Sequence, residues 1–370
     1  METRKRLLGE EHPDTLLSIG NLASTYRTQG RWKEEEQLEV RVTETRKRLL
    51  GEEHPDTLLS IGNLAATYSN QGRWKEAEEL EVQVMETRKR LLGEEHPDTL
   101  TSIGNLALTY SNQGRWSEAE ELSVRVMETG KRVLGENHPS TLIIMVNLAS
   151  TYKNQGRWKE AEELSVQVME TCTRVLWEEH PSTLSSMANL AVTYWNQGRW
   201  KEAEEFSVRV MEARRRVLGL EHPSTLTSMA DLASTYRSQG RLKEAEELEV
   251  KAIETKKRVL GEEHPSTLTS MGNLALTYNN QRRWKEAEEL GAQVMGVRKR
   301  VLGEEHPDTL LSMGDLAFTL QGQGRSDEAI SAMEKCFHLR KHIMGPQHPY
   351  TTSSLDTLSR WKSENVESGV

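Results

Sequence analysis

The chain has 370 residues, of which 35% are hydrophobic, 28% charged and only 5% aromatic, so one large spherical core is not expected. A net charge of −9 argues against a nucleic-acid-binding domain, which shows a basic face. Two cysteines cannot build a disulfide framework, the start METRKRLLGEEHP lacks the apolar stretch of a secretory signal, and no apolar run approaches the ~18 residues of a membrane helix; a reducing, cytoplasmic setting is expected.

The dipeptide His-Pro sets the frame. It begins at His12, His54, His96, His138, His180, His222, His264, His306 and His348, each 42 residues after the last. Segments 43–84 and 85–126 differ at six positions only, which points to recent duplication. An internal repeat overrides any division of the chain into ordinary globular domains. In chain order, residues 1–12 read as the partial second helix of a truncated unit, because residues 1–16 repeat residues 85–100 and Met1 matches an internal methionine. Such an uncapped end is expected to self-associate. Residues 13–348 form eight 42-residue helical hairpins. Residues 349–362 form a capping helix with Leu355, Leu358 and Trp361 as its apolar stripe, and residues 363–370 a flexible tail.

Within the unit from His54 to Glu95, Pro55 suits the first helical turn and Asp56 and Thr57 can cap or charge it. Leu58, Ile61, Leu64, Ala65 and Tyr68 recur at helical spacing on helix A. Gly72 ends that helix; helix B carries Trp74, Ala77, Leu80, Val84 and Leu91, and Gly93 closes it. No segment alternates with period two, so strands are not expected. Hairpins of this kind bury their apolar faces only by stacking, and the fold class is all-α, a solenoid of antiparallel helix hairpins.

Trp177 replaces the inter-unit glycine and Arg282 the glycine of the intra-unit turn, both positions expected to want positive φ. The histidines recur too far apart to share a metal ion. Basic runs such as Arg88-Lys89-Arg90 read as helix-end charges in i,i+4 pairs, Glu44–Arg48 and Glu86–Arg90 among them. No catalytic motif, cofactor loop or metal set stands out, so no enzyme activity and no cofactor are expected.

The informative signal is where units differ. The helix-A positions of Leu22, Ala23 and Thr25 never vary, whereas those of Leu17, Gly20, Ser24 and Arg27 do, and these share one helix face. This stripe carries Arg27, Lys153, Trp195, Arg237 and Asn279 in one row. Beside it runs a ladder of Asn21, Asn63, Asn105, Asn147, Asn189 and Asn273, with Asp231 and Asp315 as its exceptions. Glycine recurs at the position of Gly20 in five units, which a close approach by another chain or tight helix packing would rationalise.

The motifs N-L-A-x-T-Y, Q-G-R-W and E-A-E-E-L resemble the tetratricopeptide repeat in its 42-residue, kinesin-light-chain-like form. They are most similar to the C-terminal arrays of fungal NLR-like proteins, as is the closing segment KCFHLRKHIMGPQHPYTTSSLDTLSRW. The resemblance covers nearly the whole chain. It implies a right-handed superhelical solenoid whose helix-A stripe lines a concave peptide-binding groove, with the asparagines bonding a ligand's backbone. The candidate groove residues are Asn63, Asn105, Asn147, Asn189, Asn273, Arg27, Lys153, Trp195, Arg237 and Asn279. The expected partner is a protein or peptide segment, neutral or acidic because the stripe carries cations and almost no acid; neither nucleic acid nor membrane is expected. A ligand-sensing array of a fungal NLR-like protein is the leading expectation. A kinesin-light-chain-type cargo adaptor and the accessory array of an enzyme are the alternatives.

Overall fold

The computed structural model describes residues 2–368; Met1 and the last two residues of the expected tail lie outside the described residues. Eighteen helices and no strand occur among the described residues, the all-α hairpin architecture expected. The chain divides into two compact units, one ending at Thr151 and the other beginning at Tyr152. The first holds α1 (Glu2–Leu8), α2 (Pro13–Thr28), α3 (Trp32–Leu50), α4 (Pro55–Asn70), α5 (Trp74–Leu92), α6 (Pro97–Asn112), α7 (Trp116–Val133) and most of α8 (Pro139–Asn154). The second holds α9 (Trp158–Val175), α10 (Pro181–Asn196), α11 (Trp200–Leu218), α12 (Pro223–Ser238), α13 (Leu242–Leu260), α14 (Pro265–Asn280), α15 (Trp284–Val301), α16 (Pro307–Gly322), α17 (Ser326–Ile343) and α18 (Pro349–Ser368). From α2 onward, even numbers are helix A and odd numbers helix B. Within each unit a helix packs mainly on its sequence neighbours.

The His-Pro dipeptide starts each helix A. Proline takes the first turn, and the histidine itself is the cap: Nδ1 of His54 accepts the Asp56 N–H at 3.1 Å, and all nine histidines repeat the bond at 3.1–3.2 Å. Helix A then buries Leu58, Ile61, Leu64 and Ala65, and helix B buries Ala77 and Val84. Leu91 was expected on the same stripe but is 46% exposed, because the last turn of helix B runs past its neighbours.

The turn from helix A to helix B carries the joint between hairpins. In the first unit the Gln71 amide donates to the Trp32 carbonyl at 3.2 Å and to Glu36 at 2.9 Å, and Arg73 Nη1 donates to Glu36 at 2.6 Å. Arg73 also lies over the Tyr68 ring, 4.0 Å from its centroid. In the second unit Glu162, Glu204, Glu246 and Glu288 receive the same pair of donors, the last from Gln323 and Arg325.

The helix-end arginines are not held by the i,i+4 glutamates. Arg48 pairs with Glu11, Arg90 with Glu53, Arg258 with Glu221 and Arg300 with Glu263, each 37 residues back, because the loop before a His-Pro lies beside the end of the next helix B. In α18, Leu358 and Trp361 are buried and Trp361 meets Phe318 at 5.1 Å between centroids, while Leu355 points outward. The helix continues past residue 362 to Ser368, and Lys362–Glu334 and Asn365–Asp327 contacts tie this extension to α17.

The two turn substitutions behave differently. Arg282 keeps the left-handed turn at φ 60°, the only non-glycine residue among those described with positive φ. Trp177 does not occupy positive φ: the chain leaves α9 through Leu176 at φ −105° and ψ −86°, where Leu134 after α7 stays helical at ψ −24°, and the indole packs edge-on against His180 at 4.6 Å. Relief of ~1–2 kcal/mol of left-handed strain, less ~0.4–1 for the unfolded freedom of glycine, makes Arg282→Gly stabilising by roughly 0.5–1 kcal/mol. Trp177→Gly gives no gain, and urea unfolding of the two variants against the parent separates the outcomes.

Candidate peptide-binding face

The invariant threonines of helix A serve the asparagine ladder. Thr67 Oγ1 donates to the Asn63 carbonyl at 3.0 Å, Thr193 to Asn189 at 2.9 Å and Thr277 to Asn273 at 3.3 Å. The backbone of each rung is thus fixed while its side chain is left over. The side-chain amides of Asn63, Asn105, Asn147, Asn189 and Asn273 make no hydrogen bond within the protein; Asn105 is exposed and the other four are half-buried. A Cβ placed on Gly20, Gly62 or Gly272 would meet nothing within 4 Å, so helix packing does not require these glycines. They leave open space along the ladder instead.

The stripe beside the ladder presents apolar side chains to solvent. Leu17, Leu59, Leu108 and Ile143 do so in the first unit, and Val192, Trp195, Leu311 and Phe318 in the second. The three expected cations separate. Arg27 donates through Nε to Glu35 at 2.5 Å, and Arg237 donates to Glu249 at 3.1 Å and to the Asn273 carbonyl at 3.2 Å. Both glutamates are buried, so these arginines neutralise interior charge and are not free for a ligand. Lys153 has no such partner, and burial pushes its amine below the usual lysine range. Asn279 is also engaged: its Nδ2 donates to Thr319 Oγ1 at 2.9 Å.

Trp195 and Arg237 come together. They line a cavity of about 230 Å³ between α10, α11 and α12, with Val192, Ser207, Val210 and Asp231. The indole N–H donates to Ser238 Oγ at 2.8 Å, which bridges α10 to α12 and fixes the ring as a wall. Ser207 takes the position at which three other units carry the buried Glu39, Glu81 and Glu249, and its shorter side chain leaves room.

A row of interior cations lies among the residues expected to be surface charge. Arg214, Lys256, Arg298 and Arg340 are buried, and each donates to a serine of the next helix A: Ser228 at 2.8 Å, Ser270 at 2.7 Å, Ser312 at 2.8 Å and Ser354 at 2.7 Å. Arg88 in the first unit is placed the same way on Ser102, so the run Arg88-Lys89-Arg90 turns one residue inward and two outward. The available signal was that Gly130 and Cys172 replace the cation in two units, an exchange foreign to a solvated face. Burial raises the Asp231 carboxyl against Arg214 and Lys256, and pushes that of Asp315 up to about 6 against Arg298 and Arg340.

Two family models, both for the tetratricopeptide repeat, match the chain, one at residues 104–174, 140–207 and 182–258 and the other at 15–56, 57–98, 267–308 and 309–350. Among solved structures, the chain is similar to a Podosopora anserina putative kinesin light chain of nearly identical TPR-like repeats. Identity is 36% over 55% of this chain and 97% of that one, with a TM-score of 0.47. It is similar to BtubC (BKLC) from P. vanneervenii at 20% identity, covering 62% of this chain and 92% of that one, with a TM-score of 0.51. A Rap protein complexed with Competence and Sporulation Factor aligns at 11% identity over 96% of this chain and 99% of that one, with a TM-score of 0.56. These last two likenesses concern the fold alone. No curated protein matches the chain.

Beneath the helix-A face, burial pushes the carboxyls of Glu39, Glu81 and Glu249 up to about 7. Each has an Oε2 without a hydrogen-bond partner. A carboxyl that holds its proton more tightly when folded favours the fold fully below its unfolded pKa, and that advantage is lost as pH rises toward about 7. Glu81→Gln, which mimics the protonated form, should therefore match the parent at pH 4. At pH 8 it should exceed the parent by on the order of 1–3 kcal/mol in denaturant unfolding.

Proposed function

Because the chain belongs to the tetratricopeptide repeat family, we propose that it is an interaction scaffold which binds an extended protein or peptide segment along its helix-A faces and performs no chemistry of its own. The observation that carries this reading is the ladder of side-chain amides with no partner inside the protein. An amide can accept from a ligand N–H and donate to a ligand carbonyl, so a ladder of them suits a peptide main chain. The unfilled space at Gly20, Gly62 and Gly272 and the exposed aliphatic stripe support close approach by such a chain.

The partner is neutral or acidic. In the second unit Lys153 is unpaired, and the buried cations Arg214, Lys256, Arg298 and Arg340 form no ion pair. Asp231, Asp308 and Asp315 answer those four, and the remaining interior charge favours an incoming anion or dipole over a cation. In its larger setting we place the array as the ligand-sensing part of a fungal NLR-like protein working in the cytoplasm, which the resemblance of its units and closing segment supports.

Peptides selected against the array supply the test. Asn189→Ala and Asn273→Ala should each weaken binding about three- to tenfold, the cost of one lost hydrogen bond, without changing unfolding. Lys201→Ala, on the exposed side of helix B, should leave affinity alone. Unchanged titration curves for both asparagine variants would remove the ladder from the binding face.

A further inference from the structure

We propose that the cavity beside Trp195 selects one uncharged aromatic side chain of the bound segment, an indole or phenol whose N–H or O–H is accepted by Asp231 and Ser207. This rests on the peptide-binding reading above and specifies what the segment must carry at one point.

Size and lining come first. About 230 Å³ is small beside the ~300–1,000 Å³ of small-molecule sites and suits a single side chain. Val192, Val210 and the Trp195 ring make its apolar walls. The ring is 38% exposed and pinned by its bond to Ser238, so a second ring can stack on it or meet it edge-on.

Two polar groups in this cavity lack partners. The Asp231 carboxylate on α12 makes no hydrogen bond or ion pair, although its own carbonyl accepts from Thr235. The Ser207 hydroxyl on α11, in a residue only 5% exposed, makes none either. Asparagine holds this rung in six of the eight units and can meet a ligand donor or acceptor. Asp231 in its ionised form can only accept. A ligand that brings no donor here leaves a desolvated carboxylate unpaired, which is costly.

Charge decides the rest. The cations that bear on Asp231 are Arg214 and Lys256, both buried and bound to serines. Arg237 is taken up by Glu249. Asp315 also acts on Arg237, so the three cations face three carboxylates. A ligand cation would add a third to the two that already bear on Asp231, and a ligand anion would face Asp231 with no proton to share. An uncharged donor on an aromatic body satisfies both limits.

The test uses the full chain with ¹⁵N-labelled tryptophan. The Trp195 indole resonance, identified by its loss in Trp195→Phe, is followed during titration with N-acetyl-tyrosinamide, N-acetyl-tryptophanamide, N-acetyl-phenylalaninamide and N-acetyl-argininamide. The tyrosine or tryptophan amide should bind about tenfold more tightly than the phenylalanine amide, and that preference should fall to within about twofold in Asp231→Ala and in Ser207→Ala. If Asp231→Ala does not fold, Asp231→Asn, the residue of most other rungs, should still narrow the preference. Equal binding of the phenylalanine amide, strongest binding of the arginine amide, or an unmoved resonance with all four would overturn the proposal. Selected peptides that bind tightly while leaving Trp195 unmoved would sink this pocket and spare the wider reading; failure of any peptide to bind would sink the wider reading and this inference with it.

Discussion

Within each compact unit, one carboxylate per joint holds neighbouring hairpins in register. Glu36 in the first unit and Glu162, Glu204, Glu246 and Glu288 in the second each take a glutamine amide and an arginine guanidinium from the following turn. The arginine is fixed again by a glutamate three residues on and by the tyrosine ring beneath it, as Arg241 is by Glu244 and Tyr236. Exposed ion pairs contribute little singly, but these are partly buried, multiply bonded and repeated within both units. In a nearest-neighbour array, such interfaces add directly to the intrinsic stability of each hairpin. The joint uses only the turn and the start of helix B, which leaves the ladder and stripe of helix A free to differ between units.

What differs there is chiefly charge and volume. In the first unit, Glu35 occupies a position that is alanine in all the other units, and Arg27 turns to meet it. Glu39 and Glu81 fill the layer under the same face. In the second unit that layer opens at Ser207, where the cavity forms, and closes again at Glu249 under Arg237. The same scaffold therefore carries local sites of unlike chemistry, each made by one or two substitutions whose partners lie a helix away.

The fold was legible because the 42-residue period, the proline and the glycines are local signals: each acts on the backbone within a few residues. The helix-A core of Leu58, Ile61, Leu64 and Ala65 followed from spacing alone. The asparagine ladder was also visible, since invariance of Thr67 and its relatives marked one side of the helix and variation marked the other. The fate of Arg27, Arg237 and Asn279 was not visible. Their partners Glu35, Glu249 and Thr319 lie on other helices or across a turn, and no periodic signal says which side chains meet. Arg88 and Arg298 read as surface charge for the same reason, since a helix-end run looks alike whether its first member points inward or out. Trp177 misled because a turn can change its dihedrals when a bulky residue arrives, whereas Arg282 kept the inherited geometry.

The account stands on helix A as the ligand face, and a crystal structure of the array with a selected peptide addresses that most directly. The peptide main chain should run along the ladder with the Asn189 and Asn273 amides bonded to it. A peptide lying instead on the exposed aliphatic ends of helix B, at Val175, Val217 and Val259, would contradict the account.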